Sequence, residues 1–334
     1  MTARVLISIV TYDSERFLER CLESVRAQTW TDRVVCLWDN QSADNSAAIA
    51  SRHADLISRI HRSPQNIGFC AAHNRMIRET SSDFILVLNP DVALEPDFVA
   101  VLADALDKDA AAGSATGKLW RWQADEGNPQ MSRAVLDTTG IYLTPNQRHL
   151  DRGSEEPDRG QYDAREYVFG ASGAAAFYRR AMLEDVKADG QYFDEAFFAY
   201  REDADLAWRA QWLGWRCLYV PEARGFHVRK VLPERRAALP AAINMHSFKN
   251  RFLLRIKNMD AGTCARFLGP IFARDLMALG YVLLREPSSW RALPLLWKAL
   301  PHARAQRKEL RRRRRVPPRE MRTWFSNRPV SKPL

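Results

Sequence analysis

The sequence predicts an α/β protein with a mostly parallel central sheet, helices on both faces, and a helical C-terminal extension. Three observations carry this. Short β-branched apolar runs alternate with helix-period segments from Val5 to Leu106. Polar signatures recur where those runs end. Beyond Pro240 the apolar periodicity becomes wholly helical.

Val5-Leu6-Ile7-Ser8-Ile9-Val10 reads as a strand buried on both faces. Asp13 and Ser14 are placed to cap the helix that carries Phe17, Leu18, Cys21, Leu22 and Val25. Arg33 to Trp38 is a second strand, followed by a polar loop and a helix near Ala47 to His53. Ile57 to His61 and Phe84 to Leu88 are further strands, with helices at Ala71 to Glu79 and Pro96 to Leu106. From Gly113 to Asp163 the pattern weakens, and Asp125 to Gln130 and Gly153 to Gly160 read as loops around irregular strands. The Gly/Ala-rich run Val168 to Tyr178 suits close packing beneath a site. Ala204 to Leu213 reads as a helix stopped by Gly214, and Arg216 to Val220 as a strand stopped by Pro221. Helices follow at Ile243 to Lys257, Arg266 to Leu284 and Trp290 to Leu300, and no apolar periodicity after that. The expected division is 1–240, a catalytic domain; 241–300, a helical extension; and 301–334, a basic tail.

Of the 334 residues 46% are hydrophobic and 27% charged, a globular balance rather than a disordered one. The formal net charge of +10 is carried by the tail. Pro301 to Leu334 holds twelve Lys or Arg against two Glu, so the rest balances at 38 of each sign. A nucleic-acid groove across the main fold is therefore not expected. The five cysteines are scattered with no CxxC pair, which argues against a thiolate metal site and for reduced cytosolic thiols. The N-terminus enters a strand without a basic leader and apolar core, so no signal segment is expected.

Ligands of such sheets bind beyond the strands' carboxyl ends. Thr11-Tyr12, Asp39, Asn66-Ile67-Gly68 and Asn89-Pro90-Asp91 all fall at that edge. An early GxGxxG and a GxxxxGK[ST] are both absent, which argues against a dinucleotide fold and a P-loop enzyme. A second acidic cluster, Asp194, Glu195, Glu202, Asp203 and Asp205, sits in an otherwise apolar segment where a helix begins. Burying unpaired charge costs several kcal/mol, so a fold keeps such a cluster for a reason. Each element also has a plainer structural reading. Asp203 suits a helix cap, Asp91 a turn, Asp39 and Asp44 loop or cap positions, and His227 a hydrogen-bonded core histidine.

Taken in order, these motifs resemble the inverting GT-A glycosyltransferases of family 2. The narrower resemblance is to their bacterial rhamnosyltransferase-like branch, which builds cell-surface polysaccharide. It is carried by Ser8 to Tyr12, Asp39 to Asp44, Asn66 to Phe69, Leu88 to Asp91 and Gly190 to Leu206, and by Met245 to Arg251 just beyond. The resemblance implies that Thr11 and Tyr12 sit beside the nucleotide base and that Asp39 contacts base or ribose. It implies that Gly68 lets backbone approach the nucleotide and that Asn74 faces the same cleft. Asn89 and Asp91 match the ends of the family's DxD metal motif, with Asn89 replacing its first carboxylate. His227 matches a position that reaches metal or pyrophosphate. Asp203 matches the catalytic base, with Glu202 as its rival.

The implied chemistry needs Mg²⁺ or Mn²⁺ to neutralise a departing diphosphate, and a carboxylate to take the acceptor's proton. The implied donor is a nucleotide sugar, L-rhamnose from dTDP-L-rhamnose. The implied acceptor is a glycan or a polyprenyl-diphosphate-linked glycan. The alternatives are the same machinery with a UDP- or GDP-sugar, or a non-enzymatic basic peripheral binding module. Phe267, Ile271, Phe272, Leu276, Leu279 and Leu283 coat one helical face, and Trp290, Leu293, Trp297 and Leu300 another. With the Arg311 to Arg315 cluster they suggest peripheral contact with a membrane. The expected location is cytoplasmic, at the inner face of the plasma membrane.

Overall fold

The structure, a computed structural model, describes residues 3–122, 133–229 and 241–334. The loop expected at Asp125 to Gln130 and the boundary expected at 240 lie outside those residues.

The first half alternates as expected. β1 (Val5–Thr11), α1 (Glu15–Arg26), β2 (Arg33–Asp39), α2 (Ser46–Arg52), β3 (Arg59–Arg62), α3 (Phe69–Arg78) and β4 (Phe84–Leu88) lead into β5 (Val92–Leu94) and α4 (Phe98–Lys108). The order β3-β2-β1-β4 is parallel throughout, with Thr11 opposite Asp39 at one end. Side chains alternate between two cores because strand period is two. Val5, Ile7 and Ile9 face α1, α2 and α4. Leu6 and Val10 face the opposite layer. Asp44 ties the loops together: its Oδ2 accepts the Glu15 N–H at 2.9 Å and its Oδ1 the Ser46 N–H at 2.9 Å. The side chain expected to cap α1, Ser14, makes no capping bond.

The second half makes the sheet mixed. It contains β6 (Ala112–Arg121), β7 (Leu136–Thr138), β8 (Ile141–Leu143), β9 (His149–Asp151), β10 (Glu166–Val168), β11 (Ala175–Arg179), α5 (Arg180–Val186), α6 (Glu202–Trp212) and β12 (Arg216–His227). β11 runs antiparallel between β4 and β6, and β12 runs parallel to β6. β8 and β9 form a separate hairpin.

Two strands depart from expectation. β6 is a regular strand of ten residues where the weak pattern suggested irregularity. Almost all of it is buried, so its residues show no alternation to read. β12 does not stop at Pro221 but continues to His227, with a register shift between Val220 and Arg224. A bulge absorbs the proline, whose missing N–H would otherwise break the ladder. The bulge brings the Ala223 carbonyl onto Gly117, where an added Cβ would lie 2.2 Å from that oxygen.

The C-terminal segment comprises α7 (Ala241–Asn258), α8 (Ala261–Arg266), α9 (Leu268–Arg285), α10 (Ala292–Arg313) and α11 (Pro318–Met321). The last long helix, expected to end at Leu300, runs on through Pro301 to Arg313. Proline removes one backbone bond there, but Ala303 and Gln306 are buried and Arg307 donates to the Ile256 carbonyl at 2.8 Å. Tertiary packing overrides the local break. The tail returns to the sheet: Met321, Trp324 and Phe325 are buried, and the Lys332 and Tyr167 backbones exchange two bonds of 2.8 Å. Arg313 and Arg315 pair with Asp185 at 3.1 and 2.8 Å.

Gly117→Ala is expected to destabilise the protein by about 1–3 kcal/mol, because a backbone oxygen blocks the new methyl. Urea unfolding should show a lower midpoint with an unchanged slope.

Candidate active site

Thr11 and Asp39 end adjacent parallel strands, as expected of an edge site. The Thr11 hydroxyl is buried and has no hydrogen-bond partner among the described residues. Asp39 is buried, and one of its oxygens accepts the Ser42 N–H at 3.0 Å. Tyr12 stands exposed beside them.

One expectation is corrected. Asn74 does not face a cleft: it is fully buried in α3 and its polar atoms are committed. Its Oδ1 accepts the N–H groups of Tyr192 and Phe193, at 3.2 and 2.9 Å. Its Nδ2 donates to the Phe193 carbonyl and to Glu195 Oε1, at 2.7 and 3.0 Å. It clamps the turn that precedes the acidic motif. Gly68, at φ +84°, admits Phe198 rather than open space, since a Cβ would lie 2.6 Å from the Phe198 ring.

Asp91 and His227 are brought together by the unexpected length of β12, which pairs His227 with Val92. His227 Nε2 lies 3.5 Å from Asp91 Oδ1, a long approach, and that oxygen is buried with no hydrogen-bond partner among the described residues. His227 Nδ1 meets Asp137 Oδ2 at 2.7 Å. Burial alone would lower the imidazole's pKa. The charge and hydrogen bond of Asp137, aided by Asp91, outweigh burial and lift it to about 10. Arg229 grips Asp137 through two contacts, of 2.7 and 3.0 Å, and reaches Asp151 at 2.7 Å. Neither Asp137 nor Arg229 falls in a motif of the sequence. Leu136-Asp137-Thr138 lies in the weakly patterned stretch, and nothing local distinguishes Asp137 from a turn residue.

No group of three or more His, Cys, Asp or Glu able to hold a metal is found among the described residues. The pair still fits a divalent cation that takes its remaining ligands from phosphate and water. It offers a carboxylate oxygen without a hydrogen-bond partner among the described residues and an imidazole, oriented by a second carboxylate, that would release its Nε2 proton as the cation bound.

Asp203 and Glu202 begin α6 and point to different environments. Asp203 is partly exposed and accepts the Gly173 N–H at 3.0 Å and the Ala204 N–H at 2.7 Å. Burial raises its pKa against those two bonds. Glu202 is buried, and its Oε2 has no hydrogen-bond partner among the described residues. Burial, then the charge of Asp203, pushes its carboxyl up to about 8.

The two acidic poles share one anchor. The Asn89 N–H donates to the Ala174 carbonyl at 2.9 Å, and the neighbouring Gly173 N–H holds Asp203. Tyr200 lies in the field of both poles: burial, then Glu202 and Asp91, pushes its phenol up to about 12.

The loop into α6 is strained. Phe198, Tyr200 and Arg201 all have positive φ, at 68°, 71° and 72°, each conformation costing about 1–3 kcal/mol. α7 holds it. Asn250 Nδ2 donates to the carbonyls of Phe197, Ala199 and Tyr200 at 2.9, 2.9 and 2.8 Å, and Lys249 reaches the Ala196 carbonyl. Lys257 pairs with Asp194 and Asp205 at 2.6 and 2.9 Å, and Arg209 also binds Asp205. The sequence marks the segment Met245 to Arg251 but carries no sign of these contacts.

Strand-end polar residues, a His–carboxylate pole and a carboxylate at a helix start, set on this mixed sheet, define a GT-A-fold glycosyltransferase. The chain matches the family model "Glycosyl transferase family 2" over residues 6–187 and belongs to that family. It is 30% identical, over 251 residues, to N-acetylglucosaminyl-diphospho-decaprenol L-rhamnosyltransferase of Mycobacterium tuberculosis, a match covering 68% of this chain and 76% of that protein. Among solved structures it is similar to S. aureus TarS 1-349 in complex with UDP-GlcNAc. There the TM-score is 0.56 at 16% identity, covering 97% of this chain and 93% of that one. It spans about half, 52%, of the longer TarS chain. It also resembles the mannosyltransferase PcManGT from Pyrobaculum calidifontis in complex with GDP-Man and Mn2+. That match has a TM-score of 0.50 at 18% identity and covers 91% and 76% of the two chains. These structural likenesses establish the fold.

Asn250→Ala is expected to release the strained loop and lower turnover by about 10²-fold, as small misplacements do. Donor affinity, measured by calorimetry, should hold. Because the Glu202 carboxyl is raised, the folded state binds its proton more tightly than the unfolded chain does. Its stabilisation is therefore full below the ordinary carboxyl range and is lost as pH rises through about 8. Thermal midpoints should fall over that window and fall less steeply in Glu202→Gln, with Asp203 supplying a residual slope of the same sign.

Proposed function

We propose that the chain is an inverting transferase that moves a sugar from a nucleoside-diphosphate donor to a hydroxyl of a glycan or lipid-linked glycan. The observation that carries this is that adjacent residues touch both acidic poles: the Gly173 N–H bonds Asp203, and the Ala174 carbonyl accepts from Asn89, two residues before the Asp91 that approaches His227. Asp203 is the base that takes the acceptor's proton. It is the more accessible of the two carboxylates at the start of α6, and its raised pKa brings it nearer the operating pH. Asp91 and His227 are the side chains that would hold Mg²⁺ or Mn²⁺, which when bound supplies charge neutralisation at the departing diphosphate. Thr11, Tyr12 and Asp39 take the nucleoside at the strand ends. Asn74, Asn250 and Lys257 orient the acidic loop.

The donor favoured here is a UDP- or GDP-activated sugar, the class bound by the structural relatives. L-rhamnose from dTDP-L-rhamnose is the second reading, favoured by the Mycobacterium tuberculosis relative. That relative's name also supports a polyprenyl-diphosphate-linked acceptor, and the place of action proposed here is the inner face of the plasma membrane.

The test is donor turnover across UDP-, GDP- and dTDP-sugars, with Mg²⁺, Mn²⁺ or EDTA. One donor class should turn over with metal and fall silent in EDTA. Asp203→Asn should lose about 10²–10⁴-fold in turnover while still binding donor. Full activity in Asp203→Asn would remove Asp203 from the role of base, and turnover of none of these donors would sink the transferase reading.

A further inference from the structure

We propose that the outer face of α9 and one side of α10 form a docking surface for an anionic lipid bilayer. This deepens the proposed function by naming where a lipid-linked acceptor is met, but it rests on its own observations. α9 is held by its inner face: Ile271 and Val282 are buried, and Asp275 binds Arg255 at 2.6 Å. Its outer face is apolar and open. Leu268, Phe272, Leu276 and Leu283 recur at helical spacing, and Phe272 is 66% exposed. Trp290, Leu293 and Trp297 continue the patch, with Trp297 73% exposed. So much contiguous apolar surface marks a partner.

Charge decides which one. Leu293, Trp297, Arg304, Lys308 and Arg311 fall on one side of α10 at 3.6 residues per turn, so the apolar patch runs directly into a basic stripe. Arg304, Arg307, Lys308, Arg311 and Arg312 line a groove there. From Arg266 to Arg315 there are thirteen Lys or Arg and three acids. Two of those acids are engaged internally, Asp275 by Arg255 and Glu286 by Ser289. A second copy of the chain would bring the same positive excess. Anionic headgroups complement it, at about 1 kcal/mol per cation near the surface.

The surface lies on a bilayer rather than across one. No helix of the described residues is long and apolar enough to span a membrane. Apolar side chains, interfacial tryptophans and flanking cations are the pattern of an in-plane anchor. The patch adjoins α7, whose Phe248 packs with Val282 and Ala292 and whose Asn250 holds the strained loop before Asp203. A docked bilayer would therefore border the acceptor side of the site.

The experiment is flotation of the full chain with vesicles of equal parts phosphatidylcholine and phosphatidylglycerol, against phosphatidylcholine alone. The protein should float with the anionic vesicles and detach as salt rises. Phe272→Glu with Trp297→Glu, and separately Arg304→Glu with Arg311→Glu, should each weaken partitioning by about tenfold or more. Hydrolysis of a water-soluble donor, unchanged in these variants, shows that they fold. Failure of the wild type to float, or variants that float equally well, overturns the proposal. So does a wild-type dimer that Trp297→Glu dissociates while vesicle binding is untouched, which assigns the face to a second copy. Flotation without donor turnover would sink the enzyme reading and leave this one standing.

Discussion

Lys257 meets Asp194 and Asp205 inside the protein, and Arg209 completes a cluster with two charges of each sign. All four side chains are almost fully buried. Removing one partner from a buried ion pair costs about 3–5 kcal/mol, because the survivor keeps its desolvation penalty. The cluster therefore fixes where α7 sits against the acidic segment. Asp194 opens the turn before the strained loop, and Asp205 lies in the first turn of α6. With both carboxylates fixed, the loop and the helix start between them have little freedom, and that interval contains Glu202 and Asp203.

Asn74 grips the turn from α3, and Asn250, from α7, holds the carbonyl groups of Phe197, Ala199 and Tyr200. These side chains come from both sides of the acidic segment in sequence, and none reaches the site itself. Their effect is orientation. A backbone with positive φ at Tyr200 and Arg201 persists only where its surroundings over-determine it. The helical extension is in this sense part of the scaffold of the candidate site. The same helices carry the open apolar face, so the surface that would meet lipid and the loop that would meet acceptor are mechanically continuous.

The opposite pole depends on a bulge. Pro221 reads locally as the end of a strand. Yet β12 passes it because Gly117 leaves room for the Ala223 carbonyl, and six residues later His227 arrives beside Asp91. Asp137 and Arg229 then orient the imidazole and extend the network towards Asp151.

The sequence by itself determined the alternating α/β order, the strand-end positions of Thr11, Asp39 and Asp91, and a helix beginning beside Glu202 and Asp203, although its pattern places the first turn two residues late, at Ala204. Those are local properties, written in apolar period and in the residue types at element ends. Tertiary structure alone decided that Asn74 is a clamp, that Gly68 faces Phe198, and that α10 continues through Pro301. It also recruited Asp137, Arg229, Asn250 and Lys257. Each of these depends on partners tens of residues away, such as the 119 separating Asn74 from Phe193 and the 90 separating His227 from Asp137. A buried polar side chain carries no mark of its partner until the chain has folded and the partner has become the only group left to satisfy it.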